Sequence, residues 1–459
     1  MIAMKKLSCY SVLGLLLSCG IPLATLAAEN VQPGTFDRPS NVLGFTLEDF
    51  YTAAINYSPR IRIADERRKI GSTRRRAANG RLLPQLNASA SLTDNRREQQ
   101  GAALETFDGE RLNVQLSQIL FNWQEFSTRK QAYMLEDQLE AEYYVELSLL
   151  LTDVADRYFS VLQAEDALGS IRSELNAVTG QLDLIDSYYQ RQLAQITDLY
   201  EAQAQLAAIQ SQELELQSQL ELSREALRAE SGILAGQLFR LDDNTDIPTM
   251  EESMQHWIEL ATANNQNIQA SEFARQAAQE QISGARGAYM PQVNVFLQRQ
   301  DSDVGFDNRP LNQTETTYAG VNISIPIYAG GSNRAAVSEA ISQHTIAQNE
   351  LRRIQLEVTE RTRTAYLQVK TSEQRTAAAR VLAESTALAA EAMQQGFELG
   401  TVNSVDVLNA LRDQFQAERD LQRSRYEHVR FLLALYREAG TLSVDDLLEV
   451  STWLDAPGN

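Results

Sequence analysis

Two carboxylates stand in matched surroundings 208 residues apart. Asp198 lies in Thr197-Asp198-Leu199-Tyr200-Glu201-Ala202, and Asp406 lies in Val405-Asp406-Val407-Leu408-Asn409-Ala410. An aspartate just inside a helix start can accept hydrogen bonds from the first free N–H groups of that helix. Catalytic work would need partners, and the chain supplies none in a recognisable arrangement. His256, His344 and His428 are isolated, without metal-ligand spacing. There is no nucleophile motif and no phosphate-binding loop, so no cofactor and no enzymatic activity are expected. Asn87-Ala88-Ser89, Asn312-Gln313-Thr314 and Asn322-Ile323-Ser324 match a glycosylation pattern that is short and frequent by chance.

The repetition extends well beyond the two aspartates. Leu83-Pro84-Gln85-Leu86-Asn87 returns as Met290-Pro291-Gln292-Val293-Asn294. The chain therefore reads as a duplication, with pseudo-two-fold symmetry and function on a shared axis or surface. Pro84/Pro291 and Phe121/Tyr328 are 207 apart, whereas Tyr158/Tyr366, Asp198/Asp406 and Gly232/Gly440 are 208 apart. One residue is thus inserted between 328 and 366. Inside a helix it would rotate the seam by about 100°, so the Ala329-Gly330-Gly331-Ser332 corner is the expected place.

Each half changes period in the same order. Residues 46–83 read as helix with a break at Ser58-Pro59, because proline disfavours a helical residue before it. Leu86, Ala88, Ala90 and Leu92 then alternate with polar residues, as do Leu112, Val114 and Leu116. Val293, Val295 and Leu297, and then Val321, Ile323, Ile325 and Ile327, repeat this in the second half. Strands are predicted at about 86–93, 111–120, 292–298 and 318–328. Long helices follow at about 124–190, 196–232, 334–398 and 402–438. A helix over 124–190 would be roughly 100 Å long. Tyr144, Leu147, Leu151, Ala155, Tyr158 and Leu162 step by three and four along it, as a coiled-coil seam does. The expected organisation is a first repeat over 29–236, a linker over 237–250, a second repeat over 251–440 and a C-terminal segment over 441–459.

Residues 1–28 read as a signal peptide: Lys5 and Lys6, an apolar run from Leu7 to Leu17, and small residues before a cut after Ala28, or after Ala27. Leu16-Leu17-Ser18-Cys19 also resembles an acylation box, which makes Cys19 a candidate lipidation site. The only cysteines, Cys9 and Cys19, lie in this segment, so the mature chain needs no disulfide. The formal charge is −20, and losing the segment's two lysines leaves −22. Such acidity argues against nucleic acid as partner. No later run of 18 apolar residues suggests a transmembrane helix.

Four amphipathic strands pose a closure problem. If their apolar faces meet lipid, every backbone polar group must be paired and no sheet edge can stay open. Membrane barrels begin at about eight strands, so the chain must oligomerise, and the strands alone do not choose between two copies and three. A soluble two-layer sheet packed on helices is the alternative, and helices of about 100 Å fit it poorly.

The doubled Leu/Met-Pro-Gln, the corners Gln118-Ile119-Leu120-Phe121 and Ile325-Pro326-Ile327-Tyr328-Ala329-Gly330-Gly331, and the helix-turn-helix tips Ala194–Asp198 and Phe397–Ala410 resemble the TolC family of outer-membrane efflux and secretion channels. The resemblance covers essentially the whole mature chain. It implies a mainly α fold with a membrane β-barrel part: a homotrimer whose twelve strands form one barrel and whose twelve helices continue across the periplasm. It implies an outer-membrane location in a Gram-negative bacterium. It also implies docking of the tips onto a periplasmic adapter (membrane fusion) protein and an inner-membrane pump or ABC transporter. A soluble periplasmic coiled-coil adapter or scaffold is the competing function. Tyr158-Phe159-Ser160-Val161-Leu162 and Ile196-Thr197-Asp198 lean toward the secretion and TolC-like branch.

The same resemblance assigns the entrance to Thr197, Asp198, Phe397, Gly400, Val402, Asp406 and Asn409. Asp406 would face the lumen and, in a trimer, form a carboxylate ring. Two such charges about 8 Å apart repel by about 2 kcal/mol at an effective dielectric near 20, which favours cation binding. Asp198 would join links that hold the entrance closed. Some members carry tyrosine at the position of Phe397, arginine at that of Val402 and an acid at that of Asn409. Here the donors to Thr197-Asp198 are missing, so closure is expected to rest on something else, with Arg191 as one candidate. Phe121, Trp123 and Tyr328, at strand ends, suit an aromatic girdle at the periplasmic interface or ordinary corner packing.

Overall fold

The computed structural model describes residues 44–98, 103–241, 245, 247–304 and 310–455. The leader 1–28 with Cys19, and nearly all of the lead-in 29–45, lie outside the described residues. Helix α1 (Leu47–Tyr57) starts from a capping box in which Thr46 and Asp49 each accept the other's backbone N–H. The chain leaves helical geometry at Ser58, and Pro59 opens α2 (Pro59–Arg81) at a position where its missing N–H costs nothing. Then come β1 (Gln85–Arg97), β2 (Glu105–Phe121), α3 (Trp123–Gln190, 68 residues) and α4 (Ile196–Ser231). After a short β3 (Arg240–Leu241) the order repeats: α5 (Met254–Asn264), α6 (Gln266–Gly287), β4 (Gln292–Val304), β5 (Pro310–Ser324), α7 (Ser332–Glu398, 67 residues) and α8 (Ser404–Ala439). A last helix α9 (Val444–Thr452) and β6 (Leu454–Asp455) close the described chain.

The four long strands form one antiparallel sheet in the order β1-β2-β4-β5. Register places Leu86, Leu116, Leu297 and Ala319 in one row and Asn87, Gln115, Gln298 and Tyr318 in the next. The period-two alternation therefore aligns across all four strands. The apolar face is uncovered: Leu86 is 69% exposed and Ile323 61%. Neither β1 nor β5 has a second strand partner among the described residues.

The strands run further than the alternation predicts. β1 and β2 reach Arg97 and Glu105, and β4 and β5 reach Val304 and Pro310, so most of the expected loops at 94–110 and 299–317 are ladder. There Asp94, Asn95, Arg96 and Arg97 are polar on both faces, and the ladder to β2 continues through them without an apolar face. At the other end β5 stops at Ser324, short of the expected 328. Pro326 has no N–H to continue the ladder. The stretch after Ser324 is a longer corner than the single Asn122 between β2 and α3. It ends on Gly330 (φ 61°) and Gly331 (φ 87°). The extra residue of the second half is accommodated there, and the α3/α4 and α7/α8 turns stay in register at 208.

Both α2 and α4 lie against α3, while α6 and α8 lie against α7; α3 also meets α6 and α8. The main core runs along α3, α4 and α8 and takes in Leu47, Phe50, Tyr51 and Ala54 of α1. Tyr158 is fully buried, edge-on to Phe50 and Phe159. Its hydroxyl donates to the carbonyl of Phe239 (2.8 Å) and lies 3.3 Å from that of Phe45. The segment expected as a plain linker is thereby tied down. Leu238 and Leu241 are buried, and β3 pairs antiparallel with β6. Arg240 of β3 pairs with Glu165 and Asp166 of α3, and Asp166 accepts from the Tyr426 hydroxyl of α8 at 2.5 Å.

Between α7 and α8, His428 is buried with Nδ1 2.7 Å from the Ser372 hydroxyl. Burial holds its pKa below the usual 6.5, against a smaller upward pull from Glu373. An unfolded histidine takes up its proton first, so stability is fullest above pH 6.5 and is lost as pH falls through the native value. His428→Gln is expected to flatten that part of the thermal-midpoint profile. An unchanged slope would remove His428 from the acid sensitivity.

Candidate functional site at the helix tips

The two helix-turn-helix tips are built alike. Helix α3 ends at Gln190 and α4 begins at Ile196; α7 ends at Glu398 and α8 begins at Ser404. Gln192 N–H donates to Tyr189 O at 2.9 Å and Leu193 N–H to Tyr188 O at 2.8 Å. At the second tip Gly400 N–H donates to Phe397 O and Thr401 N–H to Gly396 O, both at 2.9 Å. Both are Schellman closures with a left-handed residue just past the helix. Gly400 takes that conformation without cost (φ 75°). Its counterpart Gln192 (φ 64°) is the one non-glycine with positive φ among the described residues, at a cost of about 1 kcal/mol. The first tip keeps the shape of the second with a side chain that resists it.

Neither aspartate is the capping residue. The N-cap of α8 is Asn403, whose Oδ1 accepts the Asp406 N–H at 2.8 Å, and the N-cap of α4 is Gln195, which makes no side-chain cap bond. Asp198 and Asp406 sit three residues further on, in the first turn, where a negative charge is favoured by the helix dipole. Asp406 and Asn409 are exposed, and Asp198 is half-buried. Thr197 is exposed, with its hydroxyl 3.3 Å from Asp198 Oδ1 and 3.4 Å from Gln195 Oε1.

Phe397 and Val402 have turned inward. Phe397 is 9% exposed and stacks on Tyr188 of α3, with ring centroids 5.7 Å apart and planes 28° from parallel. Val402 packs against the same apolar cluster. It lies over Gly396, where an added Cβ would come within 2.6 Å of its Cγ2. An apolar contact, with no hydroxyl or guanidinium in it, thus joins the ends of α3 and α7 within the chain. Arg191 is exposed, and its side chain has no ion pair among the described residues. Tyr188 was invisible to the sequence argument, because the repeat offset aligns Tyr189, and not Tyr188, with Phe397.

At the sheet end, Phe121 packs edge-on to Phe126 at 6.1 Å. The Trp123 Nε1–H donates to the Ser283 hydroxyl at 3.1 Å. Gly287 lies so close to Trp123 that an added Cβ would come within 2.9 Å of its ring. Trp123 thus holds α3 against α6, while Phe121 packs on the first turn of α3. Tyr328, by contrast, is 87% exposed beside Ile327 at 95%.

A family model described as outer membrane efflux protein matches residues 50–232 and 257–441. The chain belongs to that family. Each matched stretch holds one helix–strand–strand–helix–helix repeat with its tip. Outer membrane protein TolC of Vibrio cholerae serotype O1 is 27% identical over 424 residues, covering 90% of this chain and 95% of that protein. Alkaline protease secretion protein AprF of Pseudomonas aeruginosa is 23% identical, covering 87% and 85%. Among solved structures, the Campylobacter jejuni CmeC outer membrane channel superposes with a TM-score of 0.75 at 16% identity, covering 89% of this chain and 90% of that one. The outer membrane protein VceC of Vibrio cholerae gives 0.73 at 18% identity, covering 86% and 96%. As a member of the outer membrane efflux protein family, the chain is a channel protein of the Gram-negative outer membrane.

Proposed function

We infer that this chain is the exit duct of an efflux pump or type I secretion system, conducting substrates passively through the outer membrane. The observation that carries the reading is the sheet. Its apolar face is uncovered, each edge strand lacks a second strand partner among the described residues, and β2 and β5 lead through corners into helices of 68 and 67 residues. A lipid-facing sheet must close on itself. Three copies supply twelve strands, with β5 of each pairing to β1 of the next and the polar rows facing water. The apolar residues exposed along α7, among them Ile346, Leu356 and Leu388, then meet a neighbouring copy. A soluble adapter or scaffold would leave both the sheet face and this stripe in water.

The tips form the periplasmic entrance, where an adapter protein and an inner-membrane pump or ABC transporter dock. The transporter supplies the energy. Asp406, exposed at the start of α8, contributes one carboxylate per copy to a lumenal ring, and exposed Asn409 leaves that ring weaker than a double acidic one. In planar bilayers the wild-type protein is expected to give stable conductance steps blocked by divalent or trivalent cations. Asp406→Asn is expected to weaken that block by about tenfold, the loss of about 1.4 kcal/mol of cation binding. Unchanged block would remove Asp406 from the entrance.

A further inference from the structure

The charge of this acidic chain is unevenly placed. Helix α2 carries nine arginines and lysines against only Asp65 and Glu66. Its counterpart in the second repeat, α6, is balanced: Arg275 and Arg286 against Glu272 and Glu280. Several α2 cations are committed to partners, such as Arg60 to Glu146 and Asp153, and Arg75 to Glu136. Others are not. Arg74 and Arg76 are exposed in the last two turns of α2 with no carboxylate partner among the described residues; Arg76 meets only the Thr73 hydroxyl. The same holds for Lys130 near the start of α3, Arg286 at the end of α6 and Arg334 at the start of α7. All four helix ends that meet the sheet therefore present an uncompensated exposed cation. The tips at the far ends of α3 and α7 are mixed in charge: Glu201, Glu398 and Asp406 are exposed there beside Arg191.

The position of these cations identifies what they meet. Arg81, at the end of α2, precedes Leu83 (61% exposed) and Leu86 (69% exposed), where the apolar band of the sheet begins. Arg74 is seven residues further from the sheet, about 10 Å along the helix. In sequence, the exposed rings of Tyr289 and Tyr328 lie between these cations and the strands, Tyr289 three residues after Arg286 and Tyr328 six before Arg334. Aromatic rings followed by basic side chains are the arrangement of a membrane–water boundary, and the distance is comparable with the screening length of about 8 Å at physiological salt.

We propose that Arg74, Arg76, Lys130, Arg286 and Arg334 form a cationic collar that binds anionic phospholipid headgroups on the periplasmic side of the outer membrane. This rests on the outer-membrane reading above. Lipid phosphates at that depth match the collar in sign and in continuity with the apolar band. Each copy adds its own set, so the closed assembly meets the headgroups with a full ring.

The test compares the full chain with R74Q/R76Q/K130Q in nanodiscs of phosphatidylcholine, alone or with added phosphatidylglycerol, at low and high salt. The readout is the thermal midpoint of the assembled species. The wild type is expected to gain several degrees from phosphatidylglycerol at low salt and to lose that gain at high salt. The variant should match the wild type in phosphatidylcholine and lack the gain. No gain in the wild type, or a gain retained by the variant, would overturn the collar. A variant equally destabilised in both lipids would assign the cations to the subunit interface instead. Loss of binding to isolated cell-wall sacculi with the lipid gain intact would assign them to that polymer. Failure of the wild type to enter either bilayer would contradict the outer-membrane reading itself.

Discussion

Replacing Arg419 by methionine is expected to cost the fold about 3–5 kcal/mol, the usual penalty for leaving one partner of a buried ion pair alone. Arg419 on α8 donates to Glu174 on α3 at 2.8 Å, with side-chain exposures of 12% and 2%. Water cannot reach Glu174 to compensate. The pair joins the two repeats, since α3 belongs to the first and α8 to the second. Its neighbours along the same interface are Tyr426 with Asp166, and Arg430 with Asp156 and Ser160. Adding Glu174→Leu to Arg419→Met should recover most of the loss, because an apolar pair of similar volume replaces both charges. Denaturant midpoints of the two single variants and the double variant measure the coupling. Additive losses would mean that the two side chains do not act as a pair.

The second large effect lies at the entrance. Phe397→Ala removes a nearly buried ring and its stack on Tyr188, a truncation that costs about 3–5 kcal/mol in a well-packed core. Here that cost falls on the junction that holds the end of α3 against the end of α7. The tips should separate more readily, raising the mean single-channel conductance. Phe397→Tyr keeps the ring and should leave conductance near wild type. Because the junction is apolar, closure should respond little to salt, unlike an entrance held by ion pairs. Wild-type conductance in Phe397→Ala, or strong opening by salt alone, would discard the aromatic junction.

Much of this architecture was legible in the sequence for a physical reason. A period of two and a period of 3.6 leave different apolar spacings, and the duplication displays each change twice. What could not be read was long-range. The β2–β4 pairing that joins the repeats leaves no local mark. The distal strand ends are polar on both faces, so Asp94 to Arg97 look like loop until their ladder partners are known. Residues 237–241 look like a spacer because their bonds are made by Tyr158, Glu165 and Asp166, far away in sequence. At the tips, the absence of donors at Phe397 and Val402 was plain, but the contact Phe397 makes was not. Stacking on Tyr188 depends on how α3 meets α7, and no repeat spacing encodes it. The matched left-handed residues Gln192 and Gly400 were within reach, since the offset of 208 pairs them. The side chain at Gln192 hid the equivalence.

The central claim is that an open four-stranded sheet closes only by joining copies of itself in lipid. The most direct measurement is the mass of the native species together with the condition needed to release it from membranes. A heat-modifiable assembly of three chains, extracted by detergent and insoluble without it, is predicted. A monomer or dimer that stays in solution without detergent would contradict the account.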